Sequence, residues 1–157
     1  MLKYLIVAAA LAAGPVQAQT LALKGPNVTR TLTAADIAAL PHVGVVMDDH
    51  GEKVSFEGVP LRALVTLAGA PEGEAVRGPQ LTSTILISAG DGYRVVVSLG
   101  EIEPTLGKAK AVLADRQNGK PLGDGQGPFR LVIEGDGRPA RSARNVVGVT
   151  FSGPLAP

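Results

Sequence analysis

The sequence predicts an α+β fold, a mostly antiparallel or mixed sheet with short helices, and three observations lead there. Strand-turn-strand patterns surround Asp48-Asp49-His50-Gly51 and Ala89-Gly90-Asp91-Gly92, where Asp and Gly supply the turn chemistry. Further β-rich runs occupy residues 109–114, 129–133 and 146–151. Helical patterning is confined to short stretches between the strands. At 157 residues the chain is long enough for one domain with a proper core, and it shows no internal repeat or heptad.

In chain order, Met1-Leu2-Lys3, the apolar residues 4–13 and Val16-Gln17-Ala18 follow the pattern of a secretory signal peptide. Residues 1–18 are therefore expected to be removed, and residues 19–157 to form a single periplasmic domain. The apolar stretch is roughly half the twenty residues that span a bilayer, which argues against a membrane anchor. Thr20-Leu21-Ala22-Leu23 alternates and reads as an edge strand. Thr33 caps a helix that Pro41 ends, with Asp36 completing a capping box. Residues 43–47 and 53–56 form a hairpin. Residues 56–70 read as the clearest helix, with Pro60 in the first turn, apolar residues at 61, 64, 65 and 68, and Gly69 at the stop. Residues 71–80 read as an exposed loop, and residues 82–88 and 93–98 as a second hairpin. Ser98-Leu99-Gly100-Glu101 repeats the capping pattern and starts a helical turn that stops before Pro104. A buried strand at 109–114 delivers Asp115 and Arg116 at its end. Residues 117–128 form a long polar loop with Asn118-Gly119 as a tight turn, and a loop of that length beside arginines suggests a binding rim.

Composition excludes several classes of function. Without residues 1–18 the chain carries 14 basic and 14 acidic side chains, so no net charge draws it to nucleic acid or a membrane surface. It has no cysteine, which rules out disulfides, a thiolate nucleophile and thiolate metal ligands. The two histidines, His42 and His50, show no HxxxH or HExxH spacing, and no resident metal is expected. No serine sits in a Gly-x-Ser-x-Gly elbow; Ser98 reads as a cap and Ser142 as a polar strand-edge residue. Gly123-Asp124-Gly125-Gln126-Gly127 lacks the Lys-Ser/Thr and the helix of a phosphate loop. Glu101 with Glu103, or Asp115 with Asp91, have the residue types for acid and base work, although such carboxylates are more often solvated or paired with arginine.

The chemistry concentrates around Gly127-Pro128-Phe129-Arg130-Leu131-Val132-Ile133 and the series Arg138, Arg141 and Arg144. An arginine inside an apolar strand is costly unless its charge has a partner. One reading pairs Arg130 with a carboxylate such as Asp115 as a structural ion pair. The other is an anion or heterocycle site, because a planar guanidinium fork suits phosphate, carboxylate and the edges of pterin-like rings. Ring stacking would have to come from Phe56, Tyr93, Phe129 or Phe151, since tryptophan is absent.

Phe56-Glu57-Gly58-Val59-Pro60-Leu61-Arg62-Ala63-Leu64, Asp91-Gly92-Tyr93, Val112-Leu113-Ala114, Asn118-Gly119-Lys120-Pro121-Leu122, Gly127-Pro128-Phe129-Arg130-Leu131-Val132 and Arg141-Ser142-Ala143-Arg144 follow one another in an order that resembles the molybdopterin-binding domain of the sulfite oxidase family, over residues 20–152. The resemblance implies that the Asp91-Gly92-Tyr93 turn reaches towards the cofactor pocket and that Arg130, Arg141 and Arg144 contact a pterin and its phosphate. It departs from the family where the molybdenum-ligating cysteine would stand, at Val45-Val46-Met47-Asp48-Asp49. The chain in this respect looks like small exported proteins of that fold that bind a pterin without molybdenum, some of which regulate a membrane sensor controlling cyclic di-GMP. Such proteins pair a carboxylate with the amino edge of the pterin; the candidates here are Asp115, Glu101 and Asp91. The expected function is non-catalytic pterin binding, with an inner-membrane sensor as partner. The alternatives are a molybdopterin-dependent oxidoreductase subunit and an interaction module without ligand.

Overall fold

A computed structural model describes residues 19–156. The signal-peptide expectation for residues 1–18 lies outside them. The chain forms two mostly antiparallel sheets with a few short helices. Thr20–Gly25 (β1) and Val28–Thr33 (β2) lead into the helix Ala34–Ala38 (α1). Val43–Asp49 (β3) and Glu52–Pro60 (β4) precede Leu61–Leu67 (α2). Thr84–Ala89 (β5), Arg94–Ser98 (β6) and Leu99–Ile102 (α3) follow. The chain ends with Ala111–Gln117 (β7), Lys120–Pro121 (β8), Arg130–Ile133 (β9) and Val146–Ser152 (β10).

The first sheet runs β2-β1-β10-β5-β6, with β1 and β10 parallel and the other neighbours antiparallel. The second runs β3-β4-β7, with β8 and β9 both antiparallel to β7. The main core lies between the sheets. Leu21, Leu23, Ile85, Ile87, Val149 and Phe151 of the first meet Val59, Leu113, Leu131 and Ile133 of the second, together with Leu61, Leu64 and Val65 of α2. Side chains alternate along a strand, so the other face of the second sheet carries its own cluster: Val45, Met47, Phe56, Val112, Ala114 and Val132. That face is concave. The sheet curls until β3 lies beside β9, and side chains bridge the seam: the Val46 amide donates to Glu134 Oε1 at 3.3 Å, and Arg130 faces Asp49.

Several local expectations hold for plain reasons. Thr33 and Asp36 exchange both capping-box bonds, and Ser98 Oγ accepts from the Glu101 amide. His50 and Gly51 turn the first hairpin, and Asn118 and Gly119 the β7–β8 hairpin, all with positive φ. Other expectations need correction. β1 is no edge strand: it pairs on both sides, Leu21 and Leu23 are fully buried, and β2, whose polar Thr-Arg-Thr run gave no strand signal, is the edge. Residues 56–60 belong to β4 and not to a helix, because 56–58 pair with strands on both sides and 59–60 continue the pairing with β7. Gly58 permits this: a Cβ there would lie 2.1 Å from the Leu113 carbonyl oxygen. Residues 71–80 are partly ordered into 3-10 turns at Gly73–Ala75 and Gly78–Thr82, with Val76 buried between them, which delays β5 to Thr84.

Candidate functional site

The register of β7 and β9 decides which charges meet. Ala114 stands opposite Arg130, so both face the concave cluster, and the next residue, Asp115, faces the other way. The ion pair of Arg130 with Asp115 expected from the sequence is therefore not made. Its carboxylate is Asp49 instead. Along β3 the alternation Val45, Met47, Asp49 keeps an inward face, and its last member reaches the end of the curled sheet where Arg130 enters from β9.

Arg130 is 1% exposed. Its Nε donates to Ser142 Oγ at 2.7 Å, and Ser142 Oγ donates in turn to the Leu131 carbonyl at 2.7 Å. Nη1 donates to Gln126 Oε1 at 2.6 Å, and the guanidinium carbon lies 4.9 Å from the centre of the Phe56 ring, a cation–π contact. Nη2 lies 3.6 Å from Asp49 Oδ2, a Coulombic pair too long for a hydrogen bond. Nη2 of Arg130 and Oδ1 of Asp49 are both buried with no hydrogen-bond partner among the described residues. Burial, then the neighbouring charge of Arg144, push the Arg130 guanidinium below its ordinary pKa, and Asp49 opposes them. Arg144 itself is exposed and makes no ion pair among the described residues. Beside this network, Gln117, Asn118, Lys120, Pro121, Gly123 and Gln126 line a cleft of about 430 Å³.

No protein-family model matches the chain, and no curated protein matches it.

The other sequence-derived candidates divide into three groups. Arg141 is engaged: Nε and Nη2 make a bidentate pair with Asp136 at 3.1 and 2.6 Å, and Nη1 binds Glu101 at 2.9 Å. Those bonds, Asp136 first, raise its pKa further. Tyr93 is exposed and donates to the Ala140 carbonyl at 2.6 Å, while Asp91 accepts from the Tyr93 amide. Tyr93, Glu101 and Arg141 thus tie the second hairpin and α3 to the loop that carries Ser142 and Arg144, while Asp91 bonds only within its own turn.

Phe129 is 2% exposed and packs in the main core. Asp115, on the opposite face from Arg130, lies 3.1 Å from His42 Nε2, whose Nδ1 sits 2.7 Å from the Leu40 carbonyl. Asp115 Oδ1 is buried without a partner, and the residue helps to line a separate cleft of about 430 Å³ with Arg116, Asp124 and Phe129. The sequence reading missed Asp49, Gln126 and Ser142 as site residues. A signal existed only for Asp49, in the period-two continuation of Val45 and Met47; Gln126 and Ser142 reach Arg130 through loop conformation alone.

The arrangement leaves a buried guanidinium with an unfilled N–H, a carboxylate with an unfilled oxygen and an exposed second guanidinium, while the Phe56 ring, 2% exposed, is already covered by Arg130. That set can receive a planar polar ring or an anion. Among the described residues no three His, Asp or Glu side chains come together as a metal-holding group, and no helix is long and apolar enough to cross a membrane.

Proposed function

We propose that this chain is a periplasmic, non-catalytic pterin-binding protein built on the molybdopterin-domain fold of the sulfite oxidase family, and that it presents its ligand state to an inner-membrane sensor of cyclic di-GMP signalling. One observation carries the ligand reading: the charge of Arg144 acts on buried Arg130, whose one ion-pair partner among the described residues is Asp49, leaving positive charge and two unfilled hydrogen-bonding atoms. A pterin fits that set. Its amino edge is a donor for a carboxylate, and its carbonyl and any phosphate are acceptors for guanidinium. Asp49 is on the same face as Arg130, whereas Asp115 is on the other, so a ring held on this face by exposed Arg144 takes Asp49 as its acid. Arg144 and Lys120 are the cations within reach of solvent; buried Arg130 sets the local field. The order of motifs along residues 20–152 supports the family and the partner.

The test is a fluorescence titration of the purified domain with a reduced pterin. Arg144→Ala should weaken binding about ten-fold, or ~1.4 kcal/mol, with unchanged melting because the side chain is exposed. Wild-type affinity in that variant would remove this face from the reading. Stoichiometric molybdenum in protein from a molybdenum-replete host would overturn the non-catalytic assignment.

A further inference from the structure

The curled second sheet has two ends. Arg130 and Asp49 plug one. At the other, where β3 and β7 begin and β4 finishes, a groove of about 500 Å³ opens over the last residues of the concave cluster. We propose that this groove binds an acyl-chain carboxylate, its tail along the apolar wall and its head at Lys108. This site is separate from the pterin reading and does not depend on it.

The wall is built from Val43, Pro60, Ile102 and Val112, with Val43 left 41% exposed and Leu106 nearby 47% exposed. No lining side chain is an acid, an amide or a hydroxyl, and three are cations: Arg62, Lys108 and Lys110. Two of the three are already occupied. Arg62 Nε donates to Glu103 Oε2 at 3.0 Å and Nη2 to the Pro71 carbonyl, with Nη1 buried and unpartnered, while Lys110 pairs with Glu134 at 3.1 Å. Lys108 makes no ion pair among the described residues, and its backbone sits at φ 59, in the left-handed region that residues other than glycine seldom occupy. Its amide is held there by the Glu103 carbonyl at 3.2 Å. Lys108 lines the groove from an exposed position, so its ammonium faces the apolar trough without a counter-charge among the described residues.

The complement of that surface is specific in its chemistry. A cation is repelled by the rim, and a sugar or peptide finds no side-chain acceptor for its donors. An apolar chain removes the exposed surface of Val43 from water, and a terminal carboxylate supplies a counter-charge for Lys108.

The experiment is calorimetric titration of the full mature chain with decanoate, with decanol as the neutral probe of equal tail and acetate as the head alone. Decanoate should bind saturably at one site, decanol at least ten-fold more weakly, and acetate not at all. Lys108→Ala should bring decanoate down to the affinity of decanol, and Val43→Glu, a change at an exposed position, should abolish binding of both. Arg144→Ala should leave decanoate binding untouched, which separates this site from the pterin face. No saturable binding of decanoate, equal affinity for decanol, or an unaltered Lys108→Ala would each overturn the proposal.

Discussion

Asp49→Asn should destabilise the fold although the change is nearly isosteric, because it strips a buried guanidinium of its carboxylate. At the 3.6 Å separation of Arg130 Nη2 and Asp49 Oδ2, Coulomb's law gives about 1 kcal/mol in bulk water and about 5 kcal/mol at an effective dielectric of 20. Arg130 is 1% exposed but the Asp49 side chain is 20% exposed, so one partner keeps part of its hydration. Arg130 also keeps Ser142, Gln126 and the face of Phe56 when Asp49 is neutralised. The expected loss is therefore about 2 kcal/mol, below the ~3–5 kcal/mol typical of breaking a fully buried pair.

For a domain of this length that corresponds to a melting temperature lower by about 8 °C, read by circular dichroism at neutral pH and low salt. Arg130→Met alone should also destabilise, because it removes two hydrogen bonds as well as the charge. In the double variant the losses should fall short of additivity by about 1–2 kcal/mol, since each single change already abolishes the pair. If Asp49→Asn melts within 2 °C of wild type and the coupling is below about 0.5 kcal/mol, the seam is not held electrostatically.

Two other perturbations follow from the same structure. Asp36, through the Thr33 amide and then its hydroxyl, and Glu134, through Lys110 and then the Val46 amide, have carboxyls held below the ordinary range. The unfolded chain then binds protons more readily than the folded one. Their contribution to stability is complete above the unfolded value near pH 4 and is lost as pH falls through the folded value. Melting temperature should accordingly drop on acidification from pH 5 to pH 2, more shallowly in Glu134→Gln than in wild type; parallel curves would count against the Glu134 bridge. Gly58→Ala should lose about 3 kcal/mol or fail to fold, since the added Cβ would stand 2.1 Å from the Leu113 carbonyl oxygen and 2.4 Å from the Ala114 Cα. A denaturant midpoint equal to wild type would show that β4 and β7 can separate there without cost.

What could be read without a structure was what depends on near neighbours in the chain. The capping box at Thr33, the N-cap at Ser98, turns at His50-Gly51 and Asn118-Gly119, and alternation along β3 and β5 are each set by residues within four positions of one another. The limits of that information show at residues 56–60. Pro60 and the apolar spacing beyond it suit a helix start, yet the strand wins because hydrogen bonds arrive from both β3 and β7. For the candidate site, Arg130 stood out by its cost inside an apolar strand, and Arg144 by proximity in sequence. Their carboxylate did not, because Asp49 is 81 positions away from Arg130 and looked like part of a turn.

The sequence by itself determined where strands such as β3 and β5 alternate, where the hairpin turns fall and that an arginine within the β9 run needs a partner for its charge, all consequences of local sterics and the desolvation of a single charge. Only the tertiary structure decided which partner each charge meets. The curl that closes β3 against β9 and the register that sets Ala114 opposite Arg130 place Asp49 with the guanidinium and Asp115 on the far face. Alternation tells that two side chains on one strand share a face; which face it is, and what waits there, depends on contacts made far along the chain.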